Sequence, residues 1–233
     1  MATCGGCGRF WPDTVRFCSA CGSPLAVGPS FDGRARKTVT VLFADVVGWT
    51  ELGERLDPET VRQIMARYFH TLGRILQRHG GTVEKFVGDA VMAVFGIPVV
   101  HEDDALRATR AAIEMAEALR MLNDELERRW GASLEVSIGV NTGEVVADDP
   151  SDGQVFATGD PVNVAARLQD MTKSLACELV VSDEVRANAG LSEGALPAQE
   201  VTIRGRNEPM VVRTANDARM LLALVNGERS AAA

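Results

Sequence analysis

Two carboxylates are the first residues whose setting suggests chemistry. In TVTVLFADVVGWT, residues 38–50, Asp45 stands at the far end of an apolar, β-branched run that breaks at Gly48 into a polar tip, Trp49-Thr50. In TVEKFVGDAVMAVF, residues 82–95, Asp89 follows Gly88 at a hairpin turn signal. Val, Leu and Phe on both parities of residues 39–43 point to a strand covered on both faces, central in its sheet. A charge at the end of such a strand is costly unless it meets water or a cation. Alone, Asp45 reads equally well as the cap of the next turn, and Asp89 as a turn former. Together they can form a divalent-cation site. Mg2+ or Mn2+ takes one or two carboxylates and leaves its other positions for phosphate and water.

A different metal chemistry is written at the N-terminus. Cys4-Gly5-Gly6-Cys7-Gly8 and Cys18-Ser19-Ala20-Cys21-Gly22 are two CxxCG knuckles. Each can turn back to present two thiolates, and the pair completes the closed tetrahedral site that structural zinc prefers. Iron in a rubredoxin-like site and a redox dithiol pair are the other readings. So short a segment, residues 1–27, would fold on metal binding rather than on apolar burial. Residues 28–37 read as a linker. Cys177 is left over and reads as a small core residue.

Three polar positions further on carry less signal by themselves. Asn163 and Arg167, in VNVAARLQDM, are four apart and share one helix face. From spacing alone that face is a solvated stripe. Arg204, in Arg204-Gly205-Arg206, reads as an exposed strand-end cation. His101 reads as a loop residue.

The elements that must position these residues follow from local signals. Asp57-Pro58 is an N-cap with Pro at the first helical position. Val61, Ile64, Met65, Tyr68, Phe69, Leu72, Ile75 and Leu76 repeat at three and four, so a long amphipathic helix follows until Gly80-Gly81. Two short strands flank Gly88-Asp89. Residues 101–129 form a second long helix with Asp103-Asp104 in its first turn and Arg128-Arg129 in its last. Residues 134–140 alternate as a strand, which 141–144 turn back into 145–147. A short strand at 154–158 precedes the Asn163–Arg167 helix, opened by Gly159-Asp160-Pro161. Strands near 179–181, 198–204 and 210–213, and a helix at 183–189, complete the domain. Residues 218–226 could form a short helix.

Bulk properties bound the function. The chain has 233 residues, enough for one large domain plus a small module. It carries 24 Lys+Arg against 32 Asp+Glu, net −8, which argues against a general nucleic-acid binder. The acidity lies after residue 37. No run approaches the ~20 apolar residues needed to span a bilayer, and the N-terminus lacks the apolar core of a signal peptide. The expected setting is cytoplasmic, consistent with thiols used as metal ligands.

FADVVGWT followed by EKFVGDAVMAVFG resembles the catalytic domain of the class III adenylate/guanylate cyclases, and the likeness extends over nearly all of 38–215. It implies an α+β fold with a ferredoxin-like core, one sheet with helices on one side, preceded by a ribbon like those before many bacterial regulators and followed by a tail, 216–233. It implies that Asp45 and Asp89 hold two Mg2+ or Mn2+ ions. NVAAR matches the family's transition-state pair, with Asn163 orienting the ribose and Arg167 meeting charge on the α-phosphate. Arg204 would hold the β- and γ-phosphates, and the amides of Val46, Val47, Gly48, Trp49 and Thr50 would cradle phosphate oxygens. Lys85 stands where adenylate cyclases carry Lys and guanylate cyclases Glu, which favours ATP. The second base-reading position is Phe156, which cannot accept a 6-amino hydrogen; Thr158 is out of register by two. The family builds each site between two catalytic domains, so a homodimer is implied. The expectation is an adenylate cyclase. A guanylate or mixed-specificity cyclase, or a nucleotide-binding sensor domain with little chemistry, are the alternatives. The ribbon would dock a regulatory domain or partner. Related regulators continue into an ATPase module, so a fragment and a stand-alone form are both compatible with the sequence.

Overall fold

The computed structural model describes residues 2–3, 7, 9–11, 35–147, 157–206 and 208–227. The chain divides into two units, Met1–Ala35 and Arg36–Ala233. In the first, Ala2–Thr3 (β1) and Phe10–Trp11 (β2) pair antiparallel. Cys7 is exposed. Cys4, Cys18 and Cys21, and with them the expected zinc site, lie outside the described residues.

The long strand Ala35–Val47 (β3), all but its first residue in the second unit, is followed by the helices Trp49–Arg55 (α1) and Pro58–Arg78 (α2). The hairpin Thr82–Val87 (β4) and Ala90–Phe95 (β5) precedes the helix Asp104–Trp130 (α3). Next come Glu135–Ala147 (β6), Ala157–Thr158 (β7) and the helix Asp160–Leu175 (α4). Leu179–Ser182 (β8), Asp183–Asn188 (α5), Ala198–Val201 (β9) and Met210–Ala215 (β10) follow. A 3-10 turn, Ala218–Leu221, leads into Leu222–Gly227 (α6).

The main sheet runs β4-β5-β3-β6-β8-β10-β9, with β7 attached to β6. Thus β3 is central. Its alternate residues serve two cores. Leu42, Ala44 and Val46 pack with Tyr68, Leu72 and Ile75 of α2 and with Ala112 and Met115 of α3. Val39 and Val41 pack on the opposite face with Ala165 of α4. The helices therefore cover both faces, not one as expected. An apolar run on both parities of β3 requires that second layer. Gly139 of β6 admits it: a Cβ there would stand 2.3 Å from the Gln169 nitrogen and 2.4 Å from the Ala165 carbonyl oxygen of α4.

Local signals set α2 as expected. The Asp57 carboxylate accepts from the Thr60 N–H at 3.0 Å, with Pro58 in the first turn. Ile64, Met65, Tyr68, Leu72, Ile75 and Leu76 are its buried stripe. Two expectations are corrected. The strand 135–147 does not turn at 141–144. Thr142 and Thr40 share a buried hydroxyl hydrogen bond at 2.8 Å, and Asn141 donates to the Pro161 carbonyl at 3.1 Å, so residues that resemble a turn are satisfied by partners distant in sequence. The second long helix starts at Asp104 rather than His101, because the His101 N–H donates to the Asp104 carboxylate at 2.7 Å and holds 101–103 as a preceding turn.

Candidate active site

Strand β3 carries Asp45 to the sheet's end between buried Ala44 and Val46. The Asp45 carbonyl accepts a long 3.4 Å hydrogen bond from Ser137 Oγ on β6. After Val47 the chain turns at Gly48, whose left-handed φ of 74° favours glycine, and enters α1. Asp89 arrives from the other side. In the β3–β5 pair Ala44 faces Val91. Extending that register by two places sets Asp89 across from Val46. The hairpin turn itself is closed by the Val87–Ala90 pair.

The two carboxyls come within hydrogen-bonding reach of each other. Burial, then the neighbouring charge of Asp89, pushes the Asp45 carboxyl up to about 6. The Val46 N–H and the charge of Lys173 oppose that shift. Beneath the pair lies Tyr68, fully buried, with a hydroxyl that has no hydrogen-bond partner. Burial and both carboxylates push its phenol well above the ordinary range. Two paired acids over an unpartnered buried hydroxyl fit a divalent cation, whose charge would relieve the repulsion. Among the described residues no cluster of three or more His, Cys, Asp or Glu gathers.

Lys85 lies on the edge strand β4, half-exposed, with its ammonium 3.9 Å from the Glu84 carboxylate. A register shift between Val83 and Lys85 bends the strand there. Phe86 is 49% exposed and its ring meets that of Phe69 of α2 tilted by 56°, with centroids 4.6 Å apart. Val87 beside it is exposed too. The edge that carries Lys85 to Asp89 is therefore apolar as well as charged.

The other cationic group sits on α4. Asn163 is exposed and Arg167 half-buried on the helix's outer side, away from Val164, Ala165 and Leu168, which are buried. The Arg167 guanidinium lies against the 204–206 turn: a Cβ added to Gly205 would stand 3.3 Å from Nη1. Arg206 reaches the Asp160 carboxylate at 3.6 Å and ties that turn to the start of α4. Arg204 is exposed. Among the described residues no ion pair joins Asp45 or Asp89 to Arg167 or Arg204. The chain thus presents two sets of contacts, the Asp45–Asp89 pair and Arg167 against the 204–206 turn. Phe156 lies outside the described residues. Tyr68 and Lys173 lie within electrostatic reach of the carboxylates, and Ser137, bonded by Gln169, meets the Asp45 carbonyl; none of the four stood out in the sequence as a site residue. Tyr68 was hidden in a core stripe, and an exposed helical Lys has no distinguishing spacing.

The Adenylate and Guanylate cyclase catalytic domain family model matches residues 32–213. The chain belongs to this family. It is 29% identical over 186 residues to an adenylate cyclase of Anabaena cylindrica, covering 76% of this chain and 36% of that protein. It is 32% identical over 162 residues to adenylate cyclase 1 of Rhizobium meliloti, covering 67% and 24%. The chain spans only a quarter to about a third of the length of these relatives. Among solved structures it is similar to the guanylyl cyclase Cya2, with TM-score 0.70, 31% identity, and coverage of 78% of this chain and 93% of that one. It is also similar to the adenylyl cyclase CyaB from P. aeruginosa, with TM-score 0.68, 27% identity and coverage of 78% and 94%. Among the described residues no helix is long and apolar enough to cross a membrane.

Proposed function

We propose that this chain is an adenylate cyclase domain that converts ATP to 3′,5′-cyclic AMP and pyrophosphate at the interface of a homodimer. The observation that carries this reading is the Asp45–Asp89 pair, two acids brought within reach of each other at a strand end. Divalent cations held there would lower the pKa of the ribose 3′-hydroxyl and neutralise charge on the triphosphate. The 3′-oxygen then attacks the α-phosphorus in line. The new O–P bond forms as the bond to the β-phosphate bridging oxygen breaks; that oxygen keeps the electron pair and the hydroxyl proton passes to solvent. Asn163 orients the ribose, and Arg167 grips the α-phosphate with its donor fork. Arg204 holds the β- and γ-phosphates, and the amides of residues 46–50 cradle phosphate oxygens. Positioning and charge neutralisation account for most of the catalysis.

The split into two groups supports assembly of each site from two chains. One chain gives Asp45 and Asp89; its partner gives the base-reading Lys85 together with Asn163, Arg167 and Arg204. A two-fold dimer then holds two equivalent sites, and the exposed Phe86–Val87 edge gives it apolar surface. Lys85 would donate to the adenine N1 acceptor, whereas guanine presents N1–H there. One observation favours a second reading: Phe156 cannot accept the 6-amino hydrogen, so a guanylate or mixed-specificity cyclase, or a weakly active nucleotide-binding domain, is the alternative. For residues 1–27 the reading stays a Cys4 zinc ribbon, on cysteine spacing alone.

The test is complementation. Asp45→Ala and Arg167→Ala chains are each inactive alone, and mixing them regenerates one sound site per heterodimer. Activity is read as cyclic product from ATP with Mn2+. No recovery on mixing, with both chains folded and dimeric, rules out the shared site.

A further inference from the structure

Helix α4 presents two sides to two tasks. Its outer side carries Asn163 and Arg167. Its inner side, further along, reaches the end of β3. Gln169, buried, donates through Nε2 to Ser137 Oγ at 2.5 Å, and Ser137 stands next to the Asp45 carbonyl. The close contact of Gly139 with the Gln169 backbone leaves no slack between α4 and β6. This packing positions the backbone of Lys173, one turn beyond Gln169, whose side chain is exposed. Its side chain and Val47, two residues past Asp45, line one cavity of about 480 Å³ together with Ser137 and Thr172. Among the described residues Lys173 closes no ion pair. Asp45 and Val47 share the β3 parity of Val39 and Val41, which pack against α4, so the Asp45 carboxyl and Lys173 lie on one side of the sheet, and the positive charge there favours the ionised carboxyl.

We propose that Lys173 is the intrachain counter-charge of the Asp45–Asp89 pair, and that it weakens the hold of the site on a free divalent cation so that the cation is taken up with the nucleotide. This rests on the reading of the two carboxylates as metal ligands. A positive charge beside two carboxylates partly satisfies them and repels a bare cation. A metal–triphosphate complex arrives with net negative charge and meets no such repulsion. The flexible four-carbon stem of Lys173 can then swing toward the cavity or toward the phosphates. The effect is confined to the chain that supplies Asp45, although the same helix supplies Arg167 to the other site of the dimer.

The experiment measures Mn2+ binding to the full chain without nucleotide by electron paramagnetic resonance, with Asp45→Ala as the blank that removes any ion held elsewhere. Lys173→Met should tighten Mn2+ binding by about threefold to tenfold, while Lys173→Arg stays within about twofold of the parent. Binding that is unchanged or weaker in Lys173→Met overturns the proposal; loss of a merely structural contact would weaken it. A second arm uses the complementing heterodimer and reads the Mn2+ concentration for half-maximal activity. Lys173→Met placed in the Arg167→Ala chain, which supplies Asp45, should lower it. Placed in the Asp45→Ala chain it should leave it alone, and the reverse pattern overturns the proposal. A heterodimer that is inactive with every Lys173 side chain would refute the shared site, while the Mn2+ titration still decides the role of Lys173.

Discussion

The carboxyls of Asp45 and Asp89 meet at the sheet's end although one belongs to a central strand and the other to a hairpin turn. Burial and this proximity leave Asp45 titrating near 6 in the folded protein, above the 3.8 of an ordinary Asp. A group whose pKa is raised by folding binds its proton more tightly when folded. Ionising it therefore costs stability: the cost is absent below about pH 4, grows between pH 4 and 6, and is fully present above that range.

From this follows a pH dependence of the cation-free protein. Asp45→Asn should be more stable than the parent at pH 8, by about 1–2 kcal/mol after allowance for solvent screening, and nearly equal to it at about pH 3.5. Urea unfolding at the two pH values measures this. Excess Mn2+ should restore the parent at pH 8 and leave Asp45→Asn little changed. Parallel pH profiles for the two proteins would remove the carboxylate pair as a source of strain.

The contact between Gly139 and helix α4 gives a second expectation. A methyl group at 139 would meet backbone at 2.3 and 2.4 Å, with no side chain able to swing aside. Gly139→Ala must push α4 off β6 and should destabilise by about 1–3 kcal/mol. Because α4 carries Arg167, turnover should fall more than binding of nucleotide does. A soluble, folded Gly139→Ala protein with parental kcat would show that α4 need not lie at this distance.

A third concerns the far end of the sheet. Arg213 of β10 is only 7% exposed, and its Nε donates to the Asp183 carboxylate at 2.7 Å; Arg186 Nε donates to the same oxygen. Hydrogen bonding from Arg186 holds the Asp183 carboxyl down to about 2. Removing the acid leaves a buried guanidinium with, among the described residues, the Glu193 and Leu196 carbonyls as its acceptors. Asp183→Ala should therefore destabilise by about 2–4 kcal/mol, and Asp183→Asn by less. The sign with pH is opposite to that of Asp45: here the stabilisation is present above about pH 4 and is lost as pH falls toward 2. Thermal unfolding at pH 7 and pH 3 tests both statements.

Local signals in the sequence were enough for the Asp57 cap, the α2 stripe and the Gly88-Asp89 hairpin, since each depends on residues a few positions apart. The family motif, together with the strand-end setting, was enough to pair Asp45 with Asp89. What could not be read were features completed by distant partners. Asn141, Thr142 and Gly143 look like a turn until Thr40 and Pro161 are in place to satisfy or fill against them. Gly139 has a purpose only because α4, later in the chain, lies on it. The covering of both sheet faces followed from the apolar parity of residues 39–43, yet the family likeness suggested helices on one side. Lys173 carries no signal at all in one dimension, because only the fold brings α4 alongside the end of β3.

Lys85 offers the sharpest test of substrate choice. It lies half-exposed on the edge strand, near only Glu84 among the contacts that fix it, so its replacement disturbs no core. In the proposed site its ammonium donates to the N1 acceptor of adenine. A glutamate there would reverse the polarity: it repels the adenine acceptor and accepts from the guanine N1–H. A misplaced or missing hydrogen bond to a buried base edge costs about 1–3 kcal/mol, so Lys85→Glu should lower kcat/KM for ATP by roughly tenfold to a hundredfold. Use of GTP should rise or stay level, and because Phe156 satisfies neither base, it should rise by less than use of ATP falls. Separate assays with Mn2+ and each triphosphate read both changes, and the melting temperature of the variant checks that the fold is intact. If ATP turnover survives Lys85→Glu unaltered, the base does not lie against this strand, and the nucleotide must be oriented by residues other than those the cyclase family uses.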